Sequence, residues 1–204
     1  MEATTKPQGR AILRLPRQIL WLVGTLAVMW LIEIVDTVAL SDRLQGGGIH
    51  PRSADGLDGI AWAPFLHTGF GHLIGNSLPF LVLGGLVALR GVRTWLTVTI
   101  TVIVVGGMAT WLLARTGNHI GASGLVFGYL GYLVGAAWFE RSFKAIALAA
   151  VAGVLYWSLV FGLIPAGQVS WEGHLFGAAA GITAAYLTRD SNRTQPPEQA
   201  LEDI

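Results

Sequence analysis

The sequence predicts an all-α membrane protein, and three observations support that fold class. Of the 204 residues, 53% are hydrophobic and only 12% are charged, against roughly 25% charged residues in an ordinary soluble domain. Stretches without Asp, Glu, Lys or Arg recur along the whole chain. Because about 20 apolar residues form one membrane-crossing helix, the apolar content is enough for about five or six of them. Helices are expected because lipid satisfies no backbone hydrogen bond.

Six membrane-spanning helices, packed as one bundle, are predicted from these stretches. The first continues past two acidic residues, Glu33 and Asp36, and the second follows a long outer loop that contains three consecutive glycines. Loops of that length in a compact domain tend to be functional. The six helices form a single domain over residues 18–188. Their predicted bounds are 18–40, 72–89, 94–114, 122–139, 145–164 and 172–188.

Lysine and arginine are concentrated on one side of this predicted bundle. If the N-terminus is cytoplasmic, ten of the 13 basic residues lie on the cytoplasmic side, as the positive-inside rule requires. Both termini are therefore expected in the cytoplasm, residues 1–17 as an N-terminal segment and residues 189–204 as a polar, disordered tail. The three other basic residues are expected outside: Arg43, Arg52 and Arg115.

Composition also excludes several kinds of site. The chain has no cysteine, so it forms neither a disulfide framework nor a thiolate site. Its net charge of +1 gives no reason to expect nucleic-acid binding. A metal site built from His67, His72 and His174 is conceivable, but no acidic residue completes it and no H-E-x-x-H motif is present. We therefore expect no metal and no cofactor.

Four polar residues lie within predicted membrane helices, near their outer ends. They are His72 and Asn76 on the second helix, Ser123 on the fourth and His174 on the sixth. Polar groups at membrane depth are costly and usually functional. His72 and Asn76 are four residues apart and so share a helix face. The similar depth of all four groups predicts one shallow site that opens to the outside.

Glycines predict that the fourth and sixth helices pack closely. The fourth helix carries Gly124, Gly128, Gly131 and Gly135, and the sixth carries Gly177 and Gly181. Small residues at this spacing let two helices approach in lipid. Such packing would bring the Ser123 hydroxyl within hydrogen-bonding reach of His174.

A serine–histidine dyad is the chemistry that these residues predict. A serine hydroxyl is a weak nucleophile and needs an adjacent base, here His174. Acyl transfer also needs hydrogen-bond donors for the developing oxyanion, and these are Asn76, His72 and the backbone N–H of Ser123. Glu140 lies at the other end of its helix, and Glu172 is two residues before His174 and should point elsewhere. No carboxylate is therefore expected as a third member.

Each feature has a simpler interpretation when it is taken alone. A serine in a membrane helix usually bonds its own backbone, and glycine spacing usually reflects helix packing only. His67 is expected to make a structural hydrogen bond. The joint pattern on three helices is what favours a catalytic site.

In this pattern the chain resembles the rhomboid family of intramembrane serine proteases, over about residues 18–188. The resemblance rests on three motifs, each at the head of a predicted helix: His67-x4-His72-x3-Asn76, Gly121-Ala122-Ser123-Gly124 and His174-x2-Gly177-x3-Gly181. Many members also carry a Trp-Arg pair in the first outer loop, and residues 57–62 here contain none.

The resemblance implies a six-helix rhomboid-like bundle and assigns a role to each site residue. Ser123 is implied as the nucleophile and His174 as the general base, with His72 and Asn76 among the oxyanion-binding groups. An aromatic ring at Phe127 is implied to stack on the catalytic histidine. Supporting roles are implied for Gly121, Gly124, Gly177, Gly181 and His67.

The resemblance further implies an endopeptidase that cleaves transmembrane segments of other membrane proteins near their extracytoplasmic ends. Its partners would be those substrates and the lipid bilayer, and its location a bacterial plasma membrane. Two other functions stay open. A rhomboid-like protein that only binds membrane clients would have no need of Ser123 and His174. A small transporter would carry polar residues through the full membrane depth, whereas the inner halves of the second, fourth and sixth helices are almost purely apolar.

Overall fold

The computed structural model describes residues 16–165 and 170–189. In this part of the chain the elements are helices joined by turns and loops, with one isolated β-bridge between Ile49 and His119 and no strand. The prediction of an all-α fold is therefore confirmed. The predicted N-terminal segment and C-terminal tail lie almost entirely outside the described residues.

Eight α-helices are found in the described ranges, and several continue as helices of another type. A π-helix, Asp36–Leu40, extends α1, another, Val102–Gly106, joins α4 to α5, and a 3₁₀ helix, Trp157–Leu163, extends α7. The α-helices are α1 (Arg17–Val35), α2 (Gly59–Trp62), α3 (Phe70–Ala88), α4 (Val92–Thr101), α5 (Gly107–Leu113), α6 (Ser123–Glu140), α7 (Phe143–Tyr156) and α8 (Trp171–Thr188).

The long helical segments begin and end within two residues of the predicted bounds. Four of them are long and apolar enough to cross a membrane: Arg17–Leu40, Phe70–Ala88, Val92–Leu113 and Phe143–Leu163. The remaining two, α6 and α8, have 18 residues each, and their many glycines and alanines lower their hydropathy. That α6 and α8 also cross the membrane stays a prediction.

The centre of the bundle is α6, which packs against α3, α7 and α8. Its side chains Tyr129 and Tyr132 are fully buried, and so are Phe80 of α3 and Trp95 of α4. On the outside of the bundle large apolar side chains are exposed. The clearest case is α7, where Phe143 is 89% exposed. Exposed apolar surface of this extent is expected of helices that face lipid.

Polar contacts hold the long loop that follows α1. Asp36, which is buried, accepts a hydrogen bond from the backbone N–H of Leu44 at 2.9 Å. Farther along the loop, Arg52 donates to the carbonyl of Ala114 at 2.7 Å, and Trp111 Nε1 donates to the carbonyl of Ser53 at 2.8 Å. In this chain, which lacks the Trp-Arg pair, Arg52 and Trp111 tie the loop to the end of α5.

Candidate active site

The helices α6 and α8 meet through their backbones, because glycines line their contact. A methyl group added at Gly177 would overlap the carbonyl oxygen of Gly124, and one added at Gly181 would overlap that of Gly128. A third overlap would occur between Gly131 and the carbonyl oxygen of Ala178. We call this contact the glycine seam. The close approach predicted from the glycine spacing is confirmed.

The glycine seam brings Ser123 and His174 together. The distance between Ser123 Oγ and His174 Nε2 is 2.9 Å, and the other ring nitrogen, Nδ1, lies 2.7 Å from the carbonyl oxygen of Gly162. A carbonyl only accepts hydrogen bonds, so in the neutral ring the proton is on Nδ1. Nε2 is then the acceptor for the Ser123 hydroxyl, which is the arrangement that a general base requires.

Phe127 and Gly162 enclose the ring of His174 from two sides. The Phe127 ring is stacked on the imidazole, with centroids 4.2 Å apart and planes 6° from parallel. A methyl group added at Gly162 would lie 2.7 Å from Phe127 Cζ and 3.2 Å from His174 Nδ1. Only a glycine leaves room for the chain to pass this close to both rings.

The side chains of His72 and Asn76 lie beside Gly121, two residues before Ser123. A methyl group at Gly121 would be 2.7 Å from His72 Nε2 and 3.4 Å from Asn76 Nδ2. Gly121 also has a φ of +111°, which disfavours any other residue. Asn76 Nδ2 is buried without a hydrogen-bond partner in the described structure. A buried amide donor without a partner is free to bind a ligand oxygen.

The proton of His72 is positioned by Thr68. The backbone N–H of Thr68 lies 3.4 Å from His72 Nδ1, and its hydroxyl lies 3.2 Å from the same atom. Because a backbone N–H only donates, Nδ1 is the acceptor and the proton of the neutral ring is on Nε2. His72 therefore directs an N–H toward the space beside Gly121, as Asn76 does.

His67 is a buried structural residue of the loop before α3. Its Nε2 accepts a hydrogen bond from the backbone N–H of Ala122 at 3.2 Å, at the head of α6. Burial, and secondarily the neighbouring His72, lower the pKa of His67 to about 4. The ring is therefore neutral near pH 7 and can keep this acceptor role. In the described part of the chain, no group of three or more His, Cys, Asp or Glu is placed to hold a metal ion.

Some contacts at the site are predicted from the sequence, and others are not. Glu172 lies 3.4 Å from Arg115 Nε, so the prediction that it points away from His174 is confirmed. Sequence reasoning missed Gly162, which acts through a backbone carbonyl and leaves no signal in the residue type. For His119 a structural hydrogen bond is expected from its place in an outer loop, but sequence reasoning missed the partner, Ser170, whose Oγ lies 2.6 Å from His119 Nδ1.

A cavity of about 60 Å³ adjoins Ser123. It has room for a few water molecules or a small side chain. Most of its wall is apolar or glycine, and its polar members come from three segments of the chain. Among the residues that line it are Thr110, His119, Ser123, Gly124, Ser170 and Gly177.

Comparison with known proteins identifies the family of this fold. The family model described as the rhomboid domain matches residues 57–191, and the chain belongs to the rhomboid family. The match includes every residue that forms the contacts around Ser123. Together with the four apolar helices, membership indicates an integral membrane protein.

The chain is similar to mycobacterial proteins that are described as uncharacterized. One, from Mycobacterium tuberculosis, is 38% identical over 205 residues, which cover 90% of this chain and 84% of that protein. Another, from Mycobacterium leprae, is 39% identical over 191 residues, which cover 84% of this chain and 74% of that protein. The descriptions of these relatives give neither a family nor a substrate.

Proposed function

We propose that the protein is an intramembrane serine endopeptidase that uses Ser123 and His174 as a catalytic dyad. The observation that carries the proposal is the 2.9 Å contact between Ser123 Oγ and His174 Nε2, in a ring whose proton is fixed on Nδ1 by the Gly162 carbonyl. Membership of the rhomboid family supports the same activity.

In the proposed reaction His174 Nε2 takes the hydroxyl proton while Ser123 Oγ bonds to the scissile carbonyl carbon. The tetrahedral intermediate collapses with cleavage of the C–N bond, and His174 returns the proton to the departing amine. Water then attacks the acyl-enzyme, again with His174 as base, which releases the new carboxyl group and restores Ser123. Each group works in both half-reactions, as acyl transfer by a serine and a histidine requires.

The oxyanion of both intermediates would be bound by donors from two helices. The free amide of Asn76 and the Nε2–H of His72 face the space beside Gly121. The backbone N–H of Ser123 belongs to the first turn of α6, where N–H groups have no partner within the helix. Donors held in place before the reaction stabilise charge that develops in the transition state.

The substrates would be transmembrane segments of other membrane proteins, cut near their extracytoplasmic ends. The concentration of basic residues at the opposite end of the bundle supports a site that opens outward. A peptide carbonyl within a helix is already hydrogen-bonded, so the scissile segment must unwind before Ser123 can attack. A shallow site near water lowers the free energy of exposing those backbone groups.

The test is cleavage by the purified protein in liposomes with a panel of single-span substrates. Ser123→Ala and His174→Ala should each abolish cleavage, and the double variant should be no worse, since the two residues act as one unit. Ser53→Ala and His50→Ala, changed in the outer loop, are matched controls and should cleave normally. EDTA should have no effect. Cleavage by Ser123→Ala at the normal rate would overturn the mechanism, whereas no cleavage by the unchanged protein would favour a protein that only binds membrane clients.

A further inference from the structure

A second histidine–serine contact lies beside the dyad, between His119 and Ser170. His119 Nδ1 is 2.6 Å from Ser170 Oγ, and His119 Nε2 is 3.1 Å from the carbonyl oxygen of Arg115. The carbonyl can only accept, so the neutral ring carries its proton on Nε2 and the Ser170 hydroxyl donates to Nδ1. His119 is only 6% exposed, and both of its ring nitrogens are satisfied.

The two residues belong to the two segments that present the dyad. His119 precedes Ser123 by four residues, and its backbone exchanges two hydrogen bonds of 3.0 Å with Ile49 of the outer loop. Ser170 immediately precedes α8, and its carbonyl accepts the backbone N–H of His174 at 3.1 Å. The side-chain contact therefore joins the loop that leads into α6 to the first turn of α8.

A second polar contact joins the same two segments. Glu172 Oε1 lies 3.4 Å from the backbone N–H of Arg115 and 3.4 Å from its Nε. Glu172 is 5% exposed, so the contact is shielded from water on one side. Two contacts in parallel restrict rotation of one segment against the other more than one contact does.

These contacts lie where the glycine seam ends. From Gly124 and Gly177 inward, backbone contact fixes the separation of α6 and α8. Ser123 is at the first residue of α6 and His174 is in the first turn of α8, so the seam holds the dyad from one side only. On the other side, the His119–Ser170 contact joins the two segments that lead into these helices.

We propose that His119 and Ser170 are positioning residues of the dyad: their hydrogen bond fixes the approach of His174 Nε2 to Ser123 Oγ. The inference rests on the proposed function, because it assigns them a role in the same reaction. Neither residue touches the reacting atoms. A displacement of about 1 Å between reacting groups can lower a rate by roughly a hundredfold, so the loss of this constraint should affect turnover more than substrate binding.

The experiment measures kcat, KM and the rate at which a fluorophosphonate labels Ser123, in liposomes, for four variants of the pair and one control variant. Ser170→Ala should lower kcat and the labelling rate by roughly tenfold to a hundredfold, with KM within about twofold. Ser170→Thr keeps a hydroxyl and should restore most of the rate. His119→Phe should resemble Ser170→Ala, and the double variant should be no slower than either, since the pair acts as one unit. Thr183→Ala, whose hydroxyl bonds only its own helix, is the control.

The failure of this inference differs from the failure of the proposed function. If the unchanged protein neither cleaves a substrate nor labels at Ser123, the proposed function fails. If it does both, and Ser170→Ala equals it in kcat and labelling rate, only the positioning role is overturned. Losses that add in the double variant would also overturn it, because independent residues produce additive effects. Rates are normalised to folded protein, so a folding defect alone does not imitate the expected result.

Discussion

The two neighbours of α6, namely α8 and α7, hold their positions by different means. Along the glycine seam, α8 meets α6 through backbone atoms, and added methyl groups would overlap carbonyl oxygens. The contact of α7 is less extensive: its buried residues are Ala145 and Ala152, against seven on α8, and a methyl group at the exposed Gly153 would meet nothing within 4 Å. Yet both contribute to one site, since α8 carries His174 and the extension of α7 supplies the Gly162 carbonyl.

This difference separates two requirements of the proposed reaction. The distance between the reacting atoms of Ser123 and His174 depends on the closely packed pair of helices. The tautomer and rotation of the imidazole depend on a backbone carbonyl from the extension of α7. Changes on the seam side should therefore affect folding and activity together, whereas changes at Gly162 should affect activity with little effect on stability.

The largest effect is expected when a side chain is inserted into the glycine seam. Gly181→Val should destabilise the folded state by about 3 kcal/mol, the upper end of the usual range for overpacking, because backbone is pushed against backbone and no flexible side chain can give way. Gly153→Val on α7 is the matched control and should change the unfolding midpoint little. Both are measured by thermal unfolding in detergent micelles. If Gly181→Val were as stable as Gly153→Val, the seam would not hold α6 and α8 as described.

The next effect is expected at Asn76, whose side-chain amide faces the head of α6. Asn76→Ala should lower kcat by roughly 10²–10³-fold, the usual effect of losing one oxyanion donor, while His72 and the Ser123 N–H preserve residual activity. The unfolding midpoint should stay close to that of the unchanged protein, because Asn76 Nδ2 has no partner to lose. Leu78→Ala, two residues farther along α3 and with a side chain that is 64% exposed, is the control for the helix. A loss as complete as that of Ser123→Ala would assign Asn76 a different role.

The third prediction is that acid lowers the free energy of unfolding through His67, which binds the backbone N–H of Ala122 at the head of α6. The ring takes up a proton near pH 6.5 in the unfolded chain but only near pH 4 in the folded one, so the unfolded chain binds more protons between these values. Stability is therefore full above about pH 6.5 and falls as the pH decreases toward 4, by up to about 3 kcal/mol. Unfolding midpoints at several pH values in this range measure the slope.

His67→Gln is the matched variant for this pH dependence. Its side-chain carbonyl can accept the N–H of Ala122 but does not titrate, so the dependence between pH 6.5 and 4 should become shallower. Other acidic groups titrate equally in both proteins and cancel in the comparison. An identical slope in the two proteins would mean that protonation of His67 is not linked to folding.

The smallest effect on turnover is expected at Gly162, in the extension of α7. Gly162→Ala should lower kcat by roughly tenfold, because the added methyl displaces either the carbonyl or the imidazole that it orients. The unfolding midpoint should change by less than the change that Gly181→Val produces, since the extension of α7 can move outward. Both kcat and the unfolding midpoint are measured on the same preparations of Gly162→Ala and of the unchanged protein. Wild-type kcat in Gly162→Ala would show that this carbonyl does not orient His174.

The sequence was sufficient to predict the features that combine rare residue types with regular spacing. Ser123 and His174 were identifiable because polar groups are costly in apolar helices, and the glycine seam because its small residues recur at helical intervals. The contacts of Gly162, His119 and Ser170 were not, because they depend on how loops fold back on the bundle. A backbone carbonyl in particular gives no sequence signal, so residue types alone do not reveal which group orients the imidazole of His174.

The most direct test of the central claim is fluorophosphonate labelling of the folded protein in liposomes, followed by mass mapping of the modified residue. The account predicts a single label on Ser123 and a labelling rate that falls by roughly 10²-fold or more in His174→Ala, since the hydroxyl is weakly nucleophilic without its base. No label on the folded protein, or equal labelling in His174→Ala, would contradict it.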